Sequence, residues 1–596
     1  MPRLRFPEAF PLVLALLITA CAGLLRLDAF VGKYGTLDHP AWARVLTLNV
    51  APLGALLRPS SVAWKREARP YVGGDPINYL QYGREMRSFY QAHVREPIFL
   101  AVTRGFLALL DDQDAAVSFA SAAGSILAVL GIYLLGAELV SRAAGFAAAL
   151  VLAGDFDVIT WAPDGWRDDT FMAAVVFAAW AFLRFRRSAT GRNAVLLGVT
   201  AAVVCLTRIT ALSFVLPALA WLIIDCPPAQ RRARAKMGAG ALMIMTLLVA
   251  PYLISCWLAT GDPLFAINYH TSYYRYGEGL PSQTPMTAAA YVGGKFAARP
   301  FAAFDTGAIG IFVQPFVTKW LGLEPWMTGL GSVLSWCAVL GLALLPFTAK
   351  GRLLLLLLLT SLLPYAFTWN IGGGGEWRFT MHVYPFYVVA AFYGIARVAR
   401  AVRDVWRRRP LAQVVHWRPA VAVLALAVLA VGGYFTLPWF VVREAIGKGE
   451  DVSIETGGRD LAFFGRGWSS PHRDGVLVRV SLDDRAVVRF PLPERRAYDV
   501  VLRLDPVAAD AQGRVTLLLN RQLLGSVILG WNPERMGAYR LKLPAHQVKA
   551  GINELTIVPE TLVTSTAAGP RFEWLGAQQR LGVRLWYLRV LSAPTR

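Results

Sequence analysis

Gly238-Ala239-Gly240-Ala241-Leu242-Met243-Ile244-Met245-Thr246-Leu247-Leu248-Val249-Ala250-Pro251-Tyr252-Leu253-Ile254-Ser255-Cys256-Trp257-Leu258 runs without one charged side chain. A helix of that length crosses the hydrocarbon core of a bilayer. Phe10–Leu25 and Leu353–Phe367 are apolar runs of the same kind. Of the 596 residues, 56% are hydrophobic, above the roughly 45–50% of soluble domains. The chain reads as a polytopic α-helical membrane protein.

Charge placement sets the expected topology. The net charge is +21, yet Lys and Arg gather in short linkers between apolar runs: Arg184-Phe185-Arg186-Arg187, Arg231-Arg232-Ala233-Arg234, Lys350-Gly351-Arg352 and residues 397–409. This is the positive-inside pattern, with contact to anionic lipid heads available. No compact basic domain collects the charge, so nucleic acid is not an expected partner. None of the five cysteines follows Cys337, so the polar C-terminal region is not a disulfide scaffold. Ile18-Thr19-Ala20-Cys21 resembles a lipoprotein cleavage box, but its apolar run reads as the first of many uncleaved spans.

With basic linkers inside, a first span near 7–27 leads outward into a polar loop, 28–114. The short apolar segment 97–110 contains Arg104 and is expected to lie against the outer surface rather than cross. Further spans fit near 115–138, 143–161, 170–184, 194–206, 209–225, 238–257, 328–347, 352–369, 379–397 and 419–440. That makes about eleven, with an outside C-terminus. The pair between 194 and 225 reads as an out-and-back hairpin divided by Arg208. Residues 162–169, 258–327 and 370–378 then share the outer face with the first loop.

After residue 445 the hydrophobic period changes. Val476–Val480, Ala486–Pro493, Tyr498–Leu504, Val515–Leu519, Tyr539–Leu543, Leu555–Val558 and Val583–Val590 are short β-type runs. Turn pieces such as Asp505-Pro506 and Asn520-Arg521 separate them. Residues 446–596 are therefore expected to form an antiparallel sandwich, a jelly roll in its expected version.

Four constellations on the outer face are candidates for chemistry. Gly73-Gly74-Asp75-Pro76-Ile77-Asn78-Tyr79 offers Asp75 as a general base; it equally suits an Asp capping the helix that Pro76 opens. Asp168 and Asp169, before the apolar run Phe171–Leu183, suit the helix dipole or a second acid site. Asp155-Phe156-Asp157 and Asp112-Gln113-Asp114 match a short Asp-x-Asp pattern, and a divalent metal (Mg or Mn) is a candidate cofactor. Asn370–Phe379, with four glycines ending in Glu376-Trp377-Arg378, lets a backbone approach a ligand and places Arg378 for phosphate; His382 follows. It also fits a loop with an interfacial Trp-Arg anchor. Asn268–Tyr276, with His270 and Tyr274, fits sugar stacking or an aromatic belt. His270 has no partner at zinc spacing.

Taken together these residues resemble the GT-C class of membrane glycosyltransferases, in particular bacterial relatives of protein O-mannosyltransferases and lipid A aminoarabinose transferases. The residues that carry the resemblance are Asp75 with Tyr79, Arg95-Glu96-Pro97, Arg167-Asp168 before a span, and Arg378 before Tyr384-Pro385, over about residues 7–400. The resemblance implies a polyprenyl-phosphate sugar donor and inverting transfer on the periplasmic face of the bacterial inner membrane. It implies Asp75 as base, Asp168 as acceptor-site acid and Arg378 as phosphate clamp. Beside these, Asp169 is expected among the catalytic residues, and Tyr79, Arg95, Glu96, His270, Tyr274, Glu376 and His382 among those that bind substrate. Many relatives have Asp-Glu where this chain has Asp75-Pro76, and the Trp-Trp-Asp motif of oligosaccharyltransferases is absent. The C-terminal region is similar to carbohydrate-binding sandwiches. The acceptor is expected to be a glycan, a lipid or a protein. A flippase for lipid-linked sugars and an inactive glycan-binding membrane protein are the rival readings.

Overall fold

The computed structural model describes residues 10–34, 74–110, 112–277, 287–298, 300–304, 328–366, 379–406, 417–456, 462–469, 472–474, 476–482, 484–508, 513–529, 538–569, 572, 575 and 578–591. They fall into two compact units. One comprises Met1–Ala298 with Thr306–Leu424; the other comprises Arg299–Asp305 with Ala425–Arg596. The division falls inside the Trp417–Gly447 helix.

The first unit is helical. At its centre is Arg167–Arg187, buried on most sides and packed between Ala116–Leu139 and Gly191–Thr207. Its 21 residues rise about 30 Å, the thickness of a hydrocarbon core. Acidic side chains occupy its first turn and Arg184, Arg186 and Arg187 its last, so each end complements the helix dipole.

The apolar segments expected to span are largely helical where they are described, and two of them differ from expectation in their bounds. By length and composition, four helices among the described residues qualify as spans, or up to six if each of two bent pairs is one span. The expected eleven is not reached among them. Gly191–Thr207 and Ile209–Ile224 are shorter apolar helices. The first helix runs Phe10–Tyr34, past the expected end at 27. The expected span 143–161 is two helices, Arg142–Gly154 and Phe156–Trp161, and the chain bends by 54° between Arg142–Gly154 and Phe156–Asp164. Asp155 makes the break, because its carboxylate accepts the Val158 N–H at 3.0 Å and caps the new helix.

Arg104 in the apolar helix Pro97–Leu109 also has a local cause. Its guanidinium donates to the carbonyls of Gly83 (3.2 Å) and Arg84 (2.8 Å). It thus satisfies the last turn of the neighbouring helix Asp75–Glu85.

Helix approach in this unit depends on small residues. A Cβ at Gly145 would sit 2.4 Å from the Tyr133 carbonyl oxygen and 2.7 Å from the Ala137 nitrogen. Only glycine lets Arg142–Gly154 lie this close to Ala116–Leu139.

The second unit is all-β after its helical lead-in. Its strands are β1 (Val452–Glu455), β2 (His472–Asp474), β3 (Val476–Val480), β4 (Ala486–Leu492), β5 (Tyr498–Pro506), β6 (Gly513–Leu519), β7 (Gln522–Leu529), β8 (Ala538–Leu543), β9 (Gly551–Pro559), β10 (Val563–Thr564), β11 (Arg580–Leu581) and β12 (Val583–Leu591). The two larger sheets have the orders β2-β3-β12-β5-β8, with β1 also on β12, and β4-β9-β6-β7; β10 and β11 pair as a separate two-stranded sheet. All pairings are antiparallel. Phe490, Leu517 and Leu555 from one sheet share a core with Val500, Leu502 and Leu585 from the other, which makes the pair a sandwich. In the β6–β7 hairpin Asn520 and Arg521 both have positive φ, 51° and 71°, the two-residue turn whose twist matches the strands.

Candidate active site

The helix Asp75–Glu85 begins where Gly74 turns with φ 71°, a conformation glycine adopts without strain. Gly74 holds the N-cap position, so Asp75 is the first residue inside the helix rather than its cap. Asp75, Asn78, Tyr79 and Tyr82 recur at helical spacing and line one side of a cavity of about 660 Å³. Arg95, Glu96, Arg167, Asp168, Arg208, His270 and Tyr365 line the rest, with Val94, Ile267, Leu363 and Phe379 as apolar wall.

Arg95 and Glu96 reach the cavity because Pro97 opens the next helix. The residue before a proline is held extended, and Glu96 has φ −69° and ψ 152°. Its carboxylate is therefore free to join two other elements. One oxygen pairs with Arg167 at the start of the central helix; the other accepts the Ile209 N–H at 2.8 Å. Glu96 thus ties the break between Gly191–Thr207 and Leu212–Ile224 to the central helix.

Arg208 occupies that break in extended conformation, φ −149° and ψ 119°. Its guanidinium pairs with Asp168 and donates to the Tyr365 hydroxyl at 3.1 Å. Phe171 and Tyr365 flank it with ring centroids at 5.2 and 5.5 Å. The Tyr79 ring lies against two cations, 5.5 Å from Arg95 and 5.8 Å from Arg167.

Three guanidinium groups therefore meet in one wall. Arg167 and Arg208 are neutralised by Glu96 and Asp168; Arg95 has no carboxylate partner among the described residues and its Nε has no acceptor. Arg95 instead meets the His270 ring through Nη1. A guanidinium only donates, so the ring nitrogen facing it accepts and His270 is neutral there. Burial, and then the charges of Arg95, Arg167 and Arg208, hold the His270 imidazole well below its ordinary value. His93 is lowered in the same way, by burial and then by Arg95.

Of the residues expected from sequence, the structure brings together Asp75, Tyr79, Arg95, Glu96, Asp168 and His270. Asp169 points elsewhere: it is fully buried and accepts from Ser121 Oγ at 2.9 Å. His382 is buried behind the wall, its ring 5.1 Å from Phe171 and 5.0 Å from Tyr365. Glu376 and Arg378 lie outside the described residues, as does the side chain of Tyr274. Arg208 and Tyr365 line the site without a signal in the sequence motifs, and Arg167 enters those motifs only beside Asp168. The available signal for Arg208 was a charged residue inside an apolar stretch, which defaults to function.

The short Asp-x-Asp patterns have structural employment. Asp112 and Asp114 hold Arg84 at 3.0 and 2.9 Å. Asp155, besides capping, accepts the Tyr384 hydroxyl at 2.6 Å. Among the described residues no three His, Cys, Asp or Glu side chains group as metal ligands, and the carboxylates of Glu96 and Asp168 already face arginines.

Residues 94–255 match the family model described as dolichyl-phosphate-mannose-protein mannosyltransferase. The resemblance to GT-C glycosyltransferases is borne out over that segment, which contains Arg95, Glu96, Arg167, Asp168 and Arg208. Comparison with curated proteins gives no match. Among solved structures, the chain is similar to the oligosaccharyltransferase AglB of Archaeoglobus fulgidus, in complex with an inhibitory peptide and a dolichol-phosphate. The identity is 14% and the TM-score 0.39, over 71% of this chain and 55% of that one. A second structure of the Archaeoglobus fulgidus oligosaccharyltransferase, tethered to an acceptor peptide, gives 14% and 0.40, over 72% and 55%. The arabinosyltransferase EmbB of Mycobacterium smegmatis gives 13% and 0.19, over 93% and 68%. The chain spans about half the length of the oligosaccharyltransferase structures it matches.

Proposed function

We propose that this membrane protein is an inverting glycosyltransferase that moves a sugar from a polyprenyl-phosphate donor to a hydroxyl-bearing glycan, lipid or protein acceptor. The site would face the periplasm at the bacterial inner membrane. One observation carries the reading: a carboxylate, Asp75, shares a single cavity with three guanidinium groups, one of which has no carboxylate partner among the described residues.

In the reaction the acceptor oxygen attacks the anomeric carbon from the face opposite the phosphate. The new C–O bond forms as the bond from that carbon to the phosphate oxygen breaks. Asp75 takes the acceptor proton, and polyprenyl phosphate leaves with the bonding electron pair. Arg95 meets the single charge of a phosphodiester in the ground state. Arg167 and Arg208, fixed by Glu96 and Asp168, supply oriented donors as a second charge develops on the leaving phosphate. Asp168 acts here by orienting Arg208. The neutral His270 adds no competing charge beside Arg95. The β-sandwich would hold the acceptor or growing glycan.

The test is release of polyprenyl phosphate from a panel of polyprenyl-phosphate sugars by the purified full chain. Asp75→Asn is expected to slow release by about 10²–10⁴-fold. Equal release by wild type and Asp75→Asn from every active donor overturns the assignment.

A further inference from the structure

The central helix carries a second cationic cluster at its other end, about 30 Å from the cavity. There Arg186 and Arg352 converge on one carboxylate, Asp225, with Arg234 beside Arg186, where four helices meet: Arg167–Arg187, Leu212–Ile224, Pro228–Thr260 and Ala349–Ala366. Arg186 Nη2 lies 3.0 Å from Asp225 Oδ2, and Arg352 Nη2 lies 2.7 Å from Asp225 Oδ1. Arg234 reaches no carboxylate among the described residues; its Nη2 donates to the Arg186 carbonyl at 2.9 Å and to Gln230 at 3.2 Å.

Two helix N-termini and two C-termini meet at this junction, so their dipoles largely offset. What is left is three guanidinium charges against one carboxylate. Among the described residues two buried nitrogens, Arg186 Nη1 and Arg234 Nη1, have no acceptor, and Asp225 Oδ2 has no hydrogen-bond donor because Arg186 Nη2 donates to the Asp225 backbone carbonyl at 2.9 Å; buried polar groups in native proteins are ordinarily satisfied. Arg352 keeps 38% of its side chain exposed, giving an approach from outside. Exposed apolar side chains flank it: Ile224, next to Asp225, and Phe347, next to the Pro346 carbonyl to which Arg352 Nη1 donates at 3.4 Å.

We propose that this junction binds the phosphate of an anionic phospholipid headgroup, with the acyl chains along Ile224 and Phe347. Arginine is suited to phosphate because its planar fork presents paired donors. One phosphate would leave the cluster still cationic and would give the unpaired nitrogens an acceptor after a small side-chain adjustment. A free phosphate satisfies the same nitrogens; the apolar flanks favour the lipid. The inference is independent of the glycosyltransferase reading, since it concerns the opposite end of the bundle and is read by binding rather than turnover.

Native mass spectrometry of the purified full chain in detergent, with phosphatidylglycerol, phosphatidylcholine or inorganic phosphate added, provides the test. One retained phosphatidylglycerol per chain is expected, phosphatidylcholine is not retained, and equimolar inorganic phosphate does not displace the bound lipid. At about one kcal/mol per cation near a headgroup, Arg234→Gln with Arg352→Gln weakens phosphatidylglycerol binding by about 30-fold. Arg231→Gln with Arg232→Gln, at exposed positions on the same helix, changes it less than about threefold. Equal losses in the two double variants would mean diffuse attraction and overturn the site. Equal retention of both lipids by wild type, or displacement by inorganic phosphate, overturns it as well, and neither depends on a variant folding.

Discussion

Arg208, in the break between two apolar helices, is ion-paired with Asp168 in the first turn of the central helix, forty positions away in sequence. The pair is buried, with side-chain exposures of 10% and 6%. It presents a guanidinium to the cavity without leaving its charge uncompensated. Pairs of this kind are costly to break from one side, because the survivor is left buried and alone.

That asymmetry gives a double-variant cycle. Arg208→Gln and Asp168→Asn should each destabilise the protein by about 3 kcal/mol, and the double variant by clearly less than their sum. Thermal unfolding in detergent reads this directly. Strict additivity would show that the two groups do not interact. Arg208→Gln should also slow polyprenyl phosphate release more than Asp168→Asn does, since only the arginine faces the leaving group in the proposed reaction.

His270 predicts a pH dependence with a definite sign. Its imidazole is held well below 6.5 by burial and by Arg95, Arg167 and Arg208. Below about 6.5 the unfolded chain takes up a proton that the folded protein does not. Stability from this group is thus complete above 6.5 and falls as pH drops from there towards the lowered folded value, by up to about 1.4 kcal/mol per pH unit. The melting midpoint should therefore drop less between pH 7.5 and 5.5 in His270→Gln than in wild type. His93, lowered for the same reason, leaves part of the slope in place. Identical slopes would show that His270 is not held neutral.

At the close helix crossing, Gly145→Ala places a methyl group 2.4 Å from the Tyr133 carbonyl, so one of the two helices must move. A cost of about 3 kcal/mol is expected. Gly240, where an added methyl group would meet nothing within 4 Å, is the control: Gly240→Ala should be neutral or stabilising by about 0.5–1 kcal/mol through helix propensity. Similar melting temperatures for the two variants would refute the close-approach argument.

In the sandwich, Arg521 has φ 71°, a conformation that costs most residues energy and glycine almost none. Arg521→Gly should raise stability by about 0.5–1 kcal/mol. Unchanged or lowered stability would mean that the arginine side chain makes up for its backbone.

Much of the architecture was legible in one dimension. Apolar runs without charge demanded burial or lipid, and period-two runs between turn residues marked most strands. The β7 strand went unread, although its partner β6 and the Asn520-Arg521 turn were both visible. Gln522-Leu523-Leu524-Gly525 does not alternate, and β7 lies at a sheet edge, where pairing on one side constrains composition less. The span count was less legible because an apolar segment of 16 or 17 residues has the same composition whether it crosses, bends or packs inside a bundle.

The sequence by itself determined that this chain is membrane-embedded, that a β-rich unit follows the helices, and that Asp75, Tyr79 and the Arg95-Glu96-Pro97 run were candidates for chemistry. Only the tertiary structure decided which charges face one another. Asp168 and Asp169 are adjacent and chemically alike, but successive helical residues diverge by about 100°. Packing of the central helix turns Asp168 towards Arg208 and the cavity, and Asp169 towards Ser121 in the core. In the same way Arg208 reads in sequence as the separator of two short helices. It becomes part of the cationic wall because folding brings it to a carboxylate forty residues away, a pairing that local spacing does not encode.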